Sequence, residues 1–293
     1  MMRVFFTAMI SGLALLLAGC KSAKPPPNPP LAVTVAERVV AQAVTFSEEQ
    51  NWPAAAQQWA KAAQDYALLN DLPHQAIALH NQAEAELEQN HPEPAHNLFE
   101  MAAALNQRLG RDTEWWRDQI GLLQTEAQLT NSTAQIEKRF AELGPRAKNL
   151  KSPLVAGLFL NEQGLWHRQH AKWDIAMGNF TESQTNFAQA HYEIGLATVI
   201  ANRALLAEDT AQAVEAESLW RDALSRYERL AQPLGIANSL AGVGRSLLEQ
   251  HKNLPEAKDC LTRAIENFKV LKKETERQSA QTSLDKCRKE EAR

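Results

Sequence analysis

Strand patterns, catalytic motifs and long apolar runs are all scarce in this chain of 293 residues. No stretch shows sustained alternation of β-branched residues, so we predict no β-strands. There is no Gly-rich phosphate loop, no Gly-x-Ser-x-Gly nucleophile elbow and no His-Glu-x-x-His zinc motif. Paired acids such as Glu48-Glu49 and Glu290-Glu291 are typical of solvated helix faces. We therefore predict neither catalytic residues nor a cofactor, and we do not expect an enzyme.

A large excess of one charge sign is also missing. The chain has 31 basic and 35 acidic residues, and loss of residues 1–19 would remove only Arg3, leaving a net charge of -5. A weakly acidic body exerts no long-range attraction on nucleic acid or anionic lipid. Nucleic acid is therefore not predicted as a partner.

Clusters of metal ligands are equally scarce. His167 and His170 lie three positions apart beside Trp166 and Trp173, and they could offer two ligands. No cysteine or carboxylate completes a site, and two histidines at helical spacing are common. Packing between helices or surface exposure is the better interpretation, so we predict no metal site.

The one long apolar run stands near the N-terminus. It covers Val4 to Leu17 after Arg3, and its 14 residues fall short of the roughly 20 that a bilayer-spanning helix needs. The run ends as Leu17-Ala18-Gly19-Cys20, which resembles the bacterial lipobox. The resemblance implies a signal peptide over residues 1–19 and a lipid attached to Cys20. An ordinary secretory signal with an incidental Cys20 is the alternative.

Residues 20–34 are then predicted to be a lipidated tether. Its prolines are Pro25, Pro26, Pro27, Pro29 and Pro30. Polyproline extends about 3.1 Å per residue, so the tether would hold the rest of the chain away from the bilayer. In enterobacterial lipoproteins an Asp after the lipidated cysteine is associated with inner-membrane retention, and here that residue is Lys21. The resemblance thus implies the periplasmic face of the outer membrane, with the inner membrane as the alternative.

Only two further cysteines are present, Cys260 and Cys287. An exported protein meets oxidants, so two remaining cysteines favour a disulfide. The point midway between them falls in Lys272–Thr275, which joins the last two predicted helices, and an antiparallel hairpin would place both cysteines at one height. Whether they face each other does not follow from the sequence, so two independent thiols are the alternative.

Against these absences stands a pattern that recurs six times. Bulky residues follow one another at spacings of 40, 41, 40, 40 and 41 positions, which is typical of stacked structural repeats. They are Trp59, Phe99, Phe140, Phe180, Trp220 and Leu261. Residues four positions before and three after them are mostly small, and these spacings place all three on one helical face.

A second apolar row keeps the same period. It consists of Val39, Leu79, Ile120, Leu160, Ile200 and Leu240, each followed after four positions by a residue that is usually small. Each unit is therefore predicted to be two helices, A and then B, whose small residues allow a close approach. Asn, Gly and Pro cluster between the predicted helices, as is typical of helix ends.

These offsets resemble the tetratricopeptide repeat (TPR) from about Ala36 to Phe268. The third unit departs from them, with Gln124, Ile136 and Leu143 at small positions, and the sixth has one extra residue near Asn253. The ordinary repeat has about 34 residues, and we attribute the added length to helices of about 18 residues. The predicted fold is an all-α, right-handed α-solenoid of six hairpins over residues 35–274, closed by a capping helix over residues 275–293.

In this family the A helices line a concave groove. Carrying that geometry over gives the candidate groove residues Val40, Val44, Ile77, His80, Glu84, Leu158, Asn161, Leu165, Leu205 and Arg245. The apolar members favour a helix or an extended peptide held by shape and apolar contact, although they could instead pack against neighbouring helices. A carboxylate clamp, which some family members build from Lys, Asn and Arg, is not expected.

Trp115 and Trp116 are candidate exposed aromatics. Because they are adjacent, one helix cannot point both at the same face, and exposed Trp is enriched at binding hot spots. Packing into seams between the long helices is the alternative.

The sequence as a whole predicts an adaptor, anchored to the outer membrane by lipid and facing the periplasm. It would bind a protein or peptide partner, in the assembly of an envelope complex. A periplasmic small-ligand receptor or enzyme with a site inside the superhelix is the alternative, because clusters formed by distant repeats cannot be seen in a sequence.

Overall fold

A computed structural model describes residues 31–130, 132–147 and 150–291 of the chain. The predicted signal peptide, Cys20 and residues 21–30 of the tether lie outside the described residues. Thirteen helices and no strand occupy the part that is described. They are α1 (Leu31–Glu48), α2 (Trp52–Leu68), α3 (Leu72–Glu88), α4 (Pro92–Arg108), α5 (Asp112–Leu129), α6 (Thr133–Ala147), α7 (Pro153–Gln169), α8 (Trp173–Gln189), α9 (Glu193–Asp209), α10 (Ala213–Arg229), α11 (Pro233–Glu249), α12 (Leu254–Val270) and α13 (Glu274–Glu291).

The predicted bulky and small positions lie where these helices meet. All six bulky side chains are buried, with at most 5% of their surface exposed. Their flanking alanines, such as Ala55 and Ala62 around Trp59, are fully buried. Because each bulky side chain needs a small neighbour at the crossing, the sequence pattern and the packing have the same period. The predicted helical hairpins are confirmed.

Residues with positive φ end almost every helix. Asn70, for example, has φ of 54°, and the next amide, that of Asp71, donates to the carbonyl of Tyr66 at 2.9 Å. This arrangement satisfies carbonyls that would otherwise lack partners at the end of α2. Two residues of the sixth A-to-B hinge, His251 and Asn253, have positive φ, and this hinge contains the extra residue of the sixth unit.

The chain divides into two compact units, of which the first ends at Pro145. Within it each of the helices α1 to α4 packs against the next, and α3 also packs directly against α5. Arg139 of α6 donates to Glu126 and Gln119 of α5, at 3.3 and 3.1 Å. The direct packing of α3 against α5 places these two A helices side by side.

The second unit extends from Arg146 and contains α7 to α13. Each helix packs against the next, and the A helices α7, α9 and α11 also pack directly against one another in that order. The final helix, α13, packs against both α11 and α12 and buries only Ala280, Leu284 and Cys287. Its remaining side chains are polar or charged, as a capping helix requires.

The predicted disulfide between Cys260 and Cys287 is not present. Both are free, buried thiols, and Sγ of Cys287 donates to the carbonyl of Leu254 at 3.5 Å. Because α12 ends at Val270 and α13 begins at Glu274, the hairpin is centred near residue 272. Cys287 therefore lies nearest in height to residue 257, and Cys260 is offset along the axis by about 4.5 Å.

The start of the first helix also differs from the sequence boundary. Helix α1 begins at Leu31, within the segment predicted to be tether, and Leu31 itself is largely exposed. Among the helices of the described residues, none is long and apolar enough to cross a membrane.

Candidate functional site

The side of the A helices that carries the candidate groove residues is called here the A-helix face. In the first unit it includes Val44 of α1, with 39% of its surface exposed, and Val40 and Ile77, which are half-buried. On α3, His80 is buried, whereas the side chain of Glu84 is 41% exposed. This section therefore combines apolar surface with one accessible carboxylate.

A network of polar side chains lies beneath that carboxylate. Nδ1 of His80 is 2.7 Å from Oδ1 of Asp118 on α5, and Nε2 of His80 is 3.1 Å from Oε1 of Glu84. The amide of Asn106 on α4 donates to the second oxygen of Asp118 at 2.8 Å. Asp118 is fully buried, so its charge is held by these two partners rather than by water.

The imidazole of His80 is stabilised in its charged form. Burial alone lowers the pKa of His80, but the Glu84 charge and hydrogen bonds to Asp118 and Glu84 outweigh that effect and raise it. Burial raises the pKa of Glu84, but the charge of His80 and its hydrogen bond lower it overall. The pair therefore favours an imidazolium beside a carboxylate.

The aromatic surroundings fix the position of that ring. The edge of His80 meets Phe99 of α4, with ring centroids 5.4 Å apart. Phe99 lies so close to α5 that a Cβ on Gly121 would be 2.5 Å from its Cζ. Only glycine fits at Gly121, so the ring of Phe99 packs against the α5 backbone and supports the imidazole.

Sequence reasoning selected His80 and Glu84 but omitted Asp118 and Asn106. Asp118 lies about one helical turn before Gly121, the residue of α5 one repeat after His80; its charge suggests exposure, and the structure instead buries it. A carboxylate one repeat after a histidine, displaced by about one helical turn, is the signal that could have identified the pair.

In the second unit the A-helix face is less exposed. Leu158 and Leu205 are half-buried, whereas Asn161 and Leu165 are buried. Leu165 belongs to the core around Phe180, which agrees with the alternative that part of the apolar row packs against neighbouring helices. Leu158 and Leu205 leave some apolar surface on this side.

Two polar contacts join neighbouring A helices there. Nδ2 of Asn202 on α9 donates to Oδ1 of Asn161 on α7 at 2.8 Å. Arg245 of α11 donates to both carboxylate oxygens of Glu208 on α9, at 3.0 and 3.1 Å. Nε1 of Trp220 also donates to Glu208, at 2.8 Å, so that carboxylate joins α9, α10 and α11.

The adjacent tryptophans are largely packed. Trp116 is buried and Trp115 is half-buried, with their rings edge to face and the centroids 5.3 Å apart. Trp116 is therefore not an exposed aromatic, and Trp115 offers only part of its surface. Packing into the seams between helices accounts for most of the pair.

No three His, Cys, Asp or Glu side chains within the described residues are grouped so that they could hold a metal ion. The ring of His170 contacts that of Trp166 in a tilted arrangement, with centroids 3.9 Å apart, and its Nδ1 is 2.9 Å from the Trp166 carbonyl. His167 is buried. The two histidines thus lie in packed surroundings.

No protein-family model and no curated protein matches the chain. Solved structures do match it. A Rap protein complexed with competence and sporulation factor has 11% identity and a TM-score of 0.63, covering 88% of this chain and 76% of its own. The apo form of the quorum sensor NprR from B. thuringiensis has 13% identity and a TM-score of 0.58, with 87% and 77% covered.

A third similar structure is a signal transduction ATPase with a tetratricopeptide repeat sensor, from Pyrococcus horikoshii. Its identity is 11% and its TM-score 0.57, and the match covers 89% of this chain but 42% of the ATPase. At these identities the likeness concerns the fold alone. The fold of this chain is that of TPR-like helical repeats.

Proposed function

We propose that the chain is an adaptor whose A-helix face binds a protein or peptide partner in the bacterial envelope. The observation that carries this proposal is the mixed surface of that face, where partly exposed apolar side chains are accompanied by an acidic group in the first unit, Glu84, and by a basic group in the second, Arg245. These partly exposed residues are Val40, Val44, Ile77, Glu84, Leu158, Leu205 and Arg245. Apolar contact supplies affinity and the flanking charges supply orientation.

The helical framework supports such a role because it fixes these side chains before a partner arrives. The A helices pack directly on one another within each unit, so few groups must be ordered on binding. The Rap protein, which has a similar fold, is described as complexed with a competence and sporulation factor.

The binding experiment compares one substitution on the A-helix face with one on a B helix. Val44→Arg places a charge on the face, whereas Ile175→Arg does so at an exposed apolar residue of α8. We expect proteins crosslinked in intact envelopes to copurify with the wild type and with Ile175→Arg but not with Val44→Arg. Unchanged circular dichroism melting would show that each variant is folded. Retention of the same partner by Val44→Arg, or copurification of a metabolite without protein, would contradict the proposal.

The anchor is the second part of the proposal and is tested separately. The sequence Leu17-Ala18-Gly19-Cys20 supports lipid attachment at Cys20, and Lys21 supports outer-membrane sorting. We expect Cys20→Ser to abolish incorporation of labelled palmitate and to leave the chain unprocessed. Lys21→Asp should keep the label but move the protein to the inner-membrane fraction. Labelling that persists in Cys20→Ser would exclude this anchor, and an unchanged distribution of Lys21→Asp would exclude sorting by Lys21.

A further inference from the structure

One contact between α3 and α5 in the first unit is made by an ionisable ring, and Arg111 at the start of α5 also donates to the Pro73 carbonyl of α3 at 3.0 Å. His80 of α3 places one nitrogen 2.7 Å from Asp118 of α5 and the other 3.1 Å from Glu84 of its own helix. A ring with both nitrogens protonated donates to both carboxylates. A neutral ring can donate to only one of them, and its bare nitrogen then faces the carboxylate oxygen of the other.

The second unit makes the corresponding contact without an ionisable group. Asn161 of α7 and Asn202 of α9 also join neighbouring A helices, at a separation of 41 residues, through an amide hydrogen bond of 2.8 Å. Amides do not titrate near neutral pH. The first unit therefore has a titratable contact between A helices where the second has a neutral one, and Arg168 of α7 also donates to Asp209 of α9 at 2.6 Å.

Three further histidines lie in the first unit, and none has a described contact with the His80 ring: His74 pairs with Asp71, His91 with Glu86 of α3, and His96 of α4 with Thr125 of α5 and with Glu100. Charged groups that act on the ring are Glu84 of α3 and Asp118 and Arg117 of α5, and Arg117 opposes its protonation. Helix α4 contributes the neutral groups Phe99 and, through Asp118, Asn106. Helix α2 also packs against α3, and Lys61, Asp65 and Tyr66 are its ionisable residues. None of these three has a hydrogen bond or ion pair with the His80 ring among the described contacts.

We propose that His80 is a proton-operated tie between α3 and α5, which strengthens the contact between these two helices when the ring is doubly protonated and loosens it when the ring is neutral. In the protonated state the ring neutralises one of two carboxylates. After proton loss, His80, Glu84 and Asp118 together carry two negative charges instead of one. Glu84, whose side chain is 41% exposed, can then turn toward water.

The direction of the pH effect follows from the pKa of His80, which folding raises above the ordinary histidine value of 6.5. Between the pKa of His80 in the unfolded chain and its pKa in the folded chain, the folded state binds more protons than the unfolded state, so stability falls as pH rises. The contribution of His80 is complete below the unfolded pKa and is lost as pH rises through the folded pKa. This proposal is independent of any partner.

Hydrogen exchange tests the tie in the full chain, because protection factors correct for the intrinsic effect of pH on exchange. Protection should fall tenfold for each pKa unit by which folding raises the pKa of His80. Between pH 6 and pH 8.5 we expect the protection factors in α3 and α5 to fall by about threefold or more. Protection in α7 and α9 should not follow this fall. His80→Gln, which keeps an N–H donor but does not titrate, should abolish the pH-dependent fall in α3 and α5. His74 is an exposed histidine beside Asp71, and His74→Gln should leave that fall as in the wild type.

A fall of the same size in His80→Gln, no fall in the wild type, or an equal fall in α7 and α9 would each overturn the proposal. Nitrogen-15 spectra of the wild-type imidazole provide a second measurement that does not depend on how a variant folds. We expect the His80 ring to titrate above 6.5. A ring that is already neutral at pH 6 would also overturn the proposal.

Discussion

Gly244 of α11 lies directly against Leu261 of α12. A Cβ placed on Gly244 would be 2.6 Å from Cγ of Leu261 and 3.0 Å from the carbonyl oxygen of Ala257, so the bulky residue of the sixth repeat occupies the space that any side chain would need. We expect Gly244→Ala to lower the free energy of unfolding by about 1–3 kcal/mol through overpacking, and Gly244→Leu to lower it further. Urea denaturation measures the difference.

Gly178→Ala is the matched control. Gly178 also lies within a helix, α8, but a Cβ placed there meets no atom within 4 Å. Removing the conformational freedom of glycine from a helix should stabilise the chain by about 0.5–1 kcal/mol. A stabilising effect of both variants would show that helix propensity, rather than the contact with Leu261, governs both positions.

At the left-handed turn residues we expect the replacement of alanine by glycine to be stabilising. Ala211, in the hinge between α9 and α10, has φ of 58°, a conformation that costs a residue with a Cβ about 1–2 kcal/mol. Ala211→Gly should remove that cost, and the greater freedom of glycine in the unfolded chain should offset part of the gain. We expect a net stabilisation of up to about 1 kcal/mol, measured by thermal and urea unfolding.

Gly110 provides the reverse substitution. Its φ is 66°, and a Cβ there meets no atom within 4 Å, so any cost of Gly110→Ala comes from the backbone. We expect Gly110→Ala to destabilise the chain by about 1 kcal/mol. A stabilising effect of Gly110→Ala would refute the explanation by left-handed geometry.

Much of the fold could be predicted because it depends on local spacing. Trp59, Phe99 and Trp220 each follow a small residue by four positions and precede another by three, and this alone places all three residues on one buried helical face. The alternation of A and B helices then follows from the 40-residue period. These features need no knowledge of which repeat touches which.

The candidate site could be predicted only in part, because its character depends on contacts between repeats. His80 and Asp118 are 38 residues apart, and their pairing requires the crossing of α3 and α5 as well as the identity of each residue. The same limit applies to Leu165, which the repeat pattern predicts to lie in the groove and which the structure places in the core. The disulfide prediction differs from the structure for a related reason, since the hairpin centre lies about 1.5 residues before the midpoint of Cys260 and Cys287 and the two thiols are therefore offset along the helix axes.

The two buried thiols should react slowly in the folded protein. Burial raises the pKa of Cys260, and burial also raises the pKa of Cys287, so little thiolate is present near neutral pH. In a Cys20→Ser variant, which removes the only other cysteine, we expect almost no reaction with a thiol reagent until urea is added. Two thiols should then react without any reductant. If none reacts in urea until a reductant is present, the two cysteines form a disulfide.

Tyr227 of α10 makes alkaline stability a sensitive test of the second unit. Its hydroxyl is buried and donates to Oγ1 of Thr198 on α9 at 3.2 Å, and burial raises the pKa of Tyr227 to about 12, from 10.0. Because the folded chain keeps this proton to a higher pH than the unfolded chain, the stability that Tyr227 contributes is complete below pH 10 and is lost as pH approaches 12.

The variant Tyr227→Phe tests this effect. Thr198 also donates to the Ile194 carbonyl, so the Thr198 hydroxyl keeps a partner in the variant. We expect the difference in unfolding free energy between wild type and Tyr227→Phe to decrease above pH 10, and the last tyrosinate absorbance step to vanish in the variant. A Tyr227 that titrates near 10 in the folded chain would contradict this account.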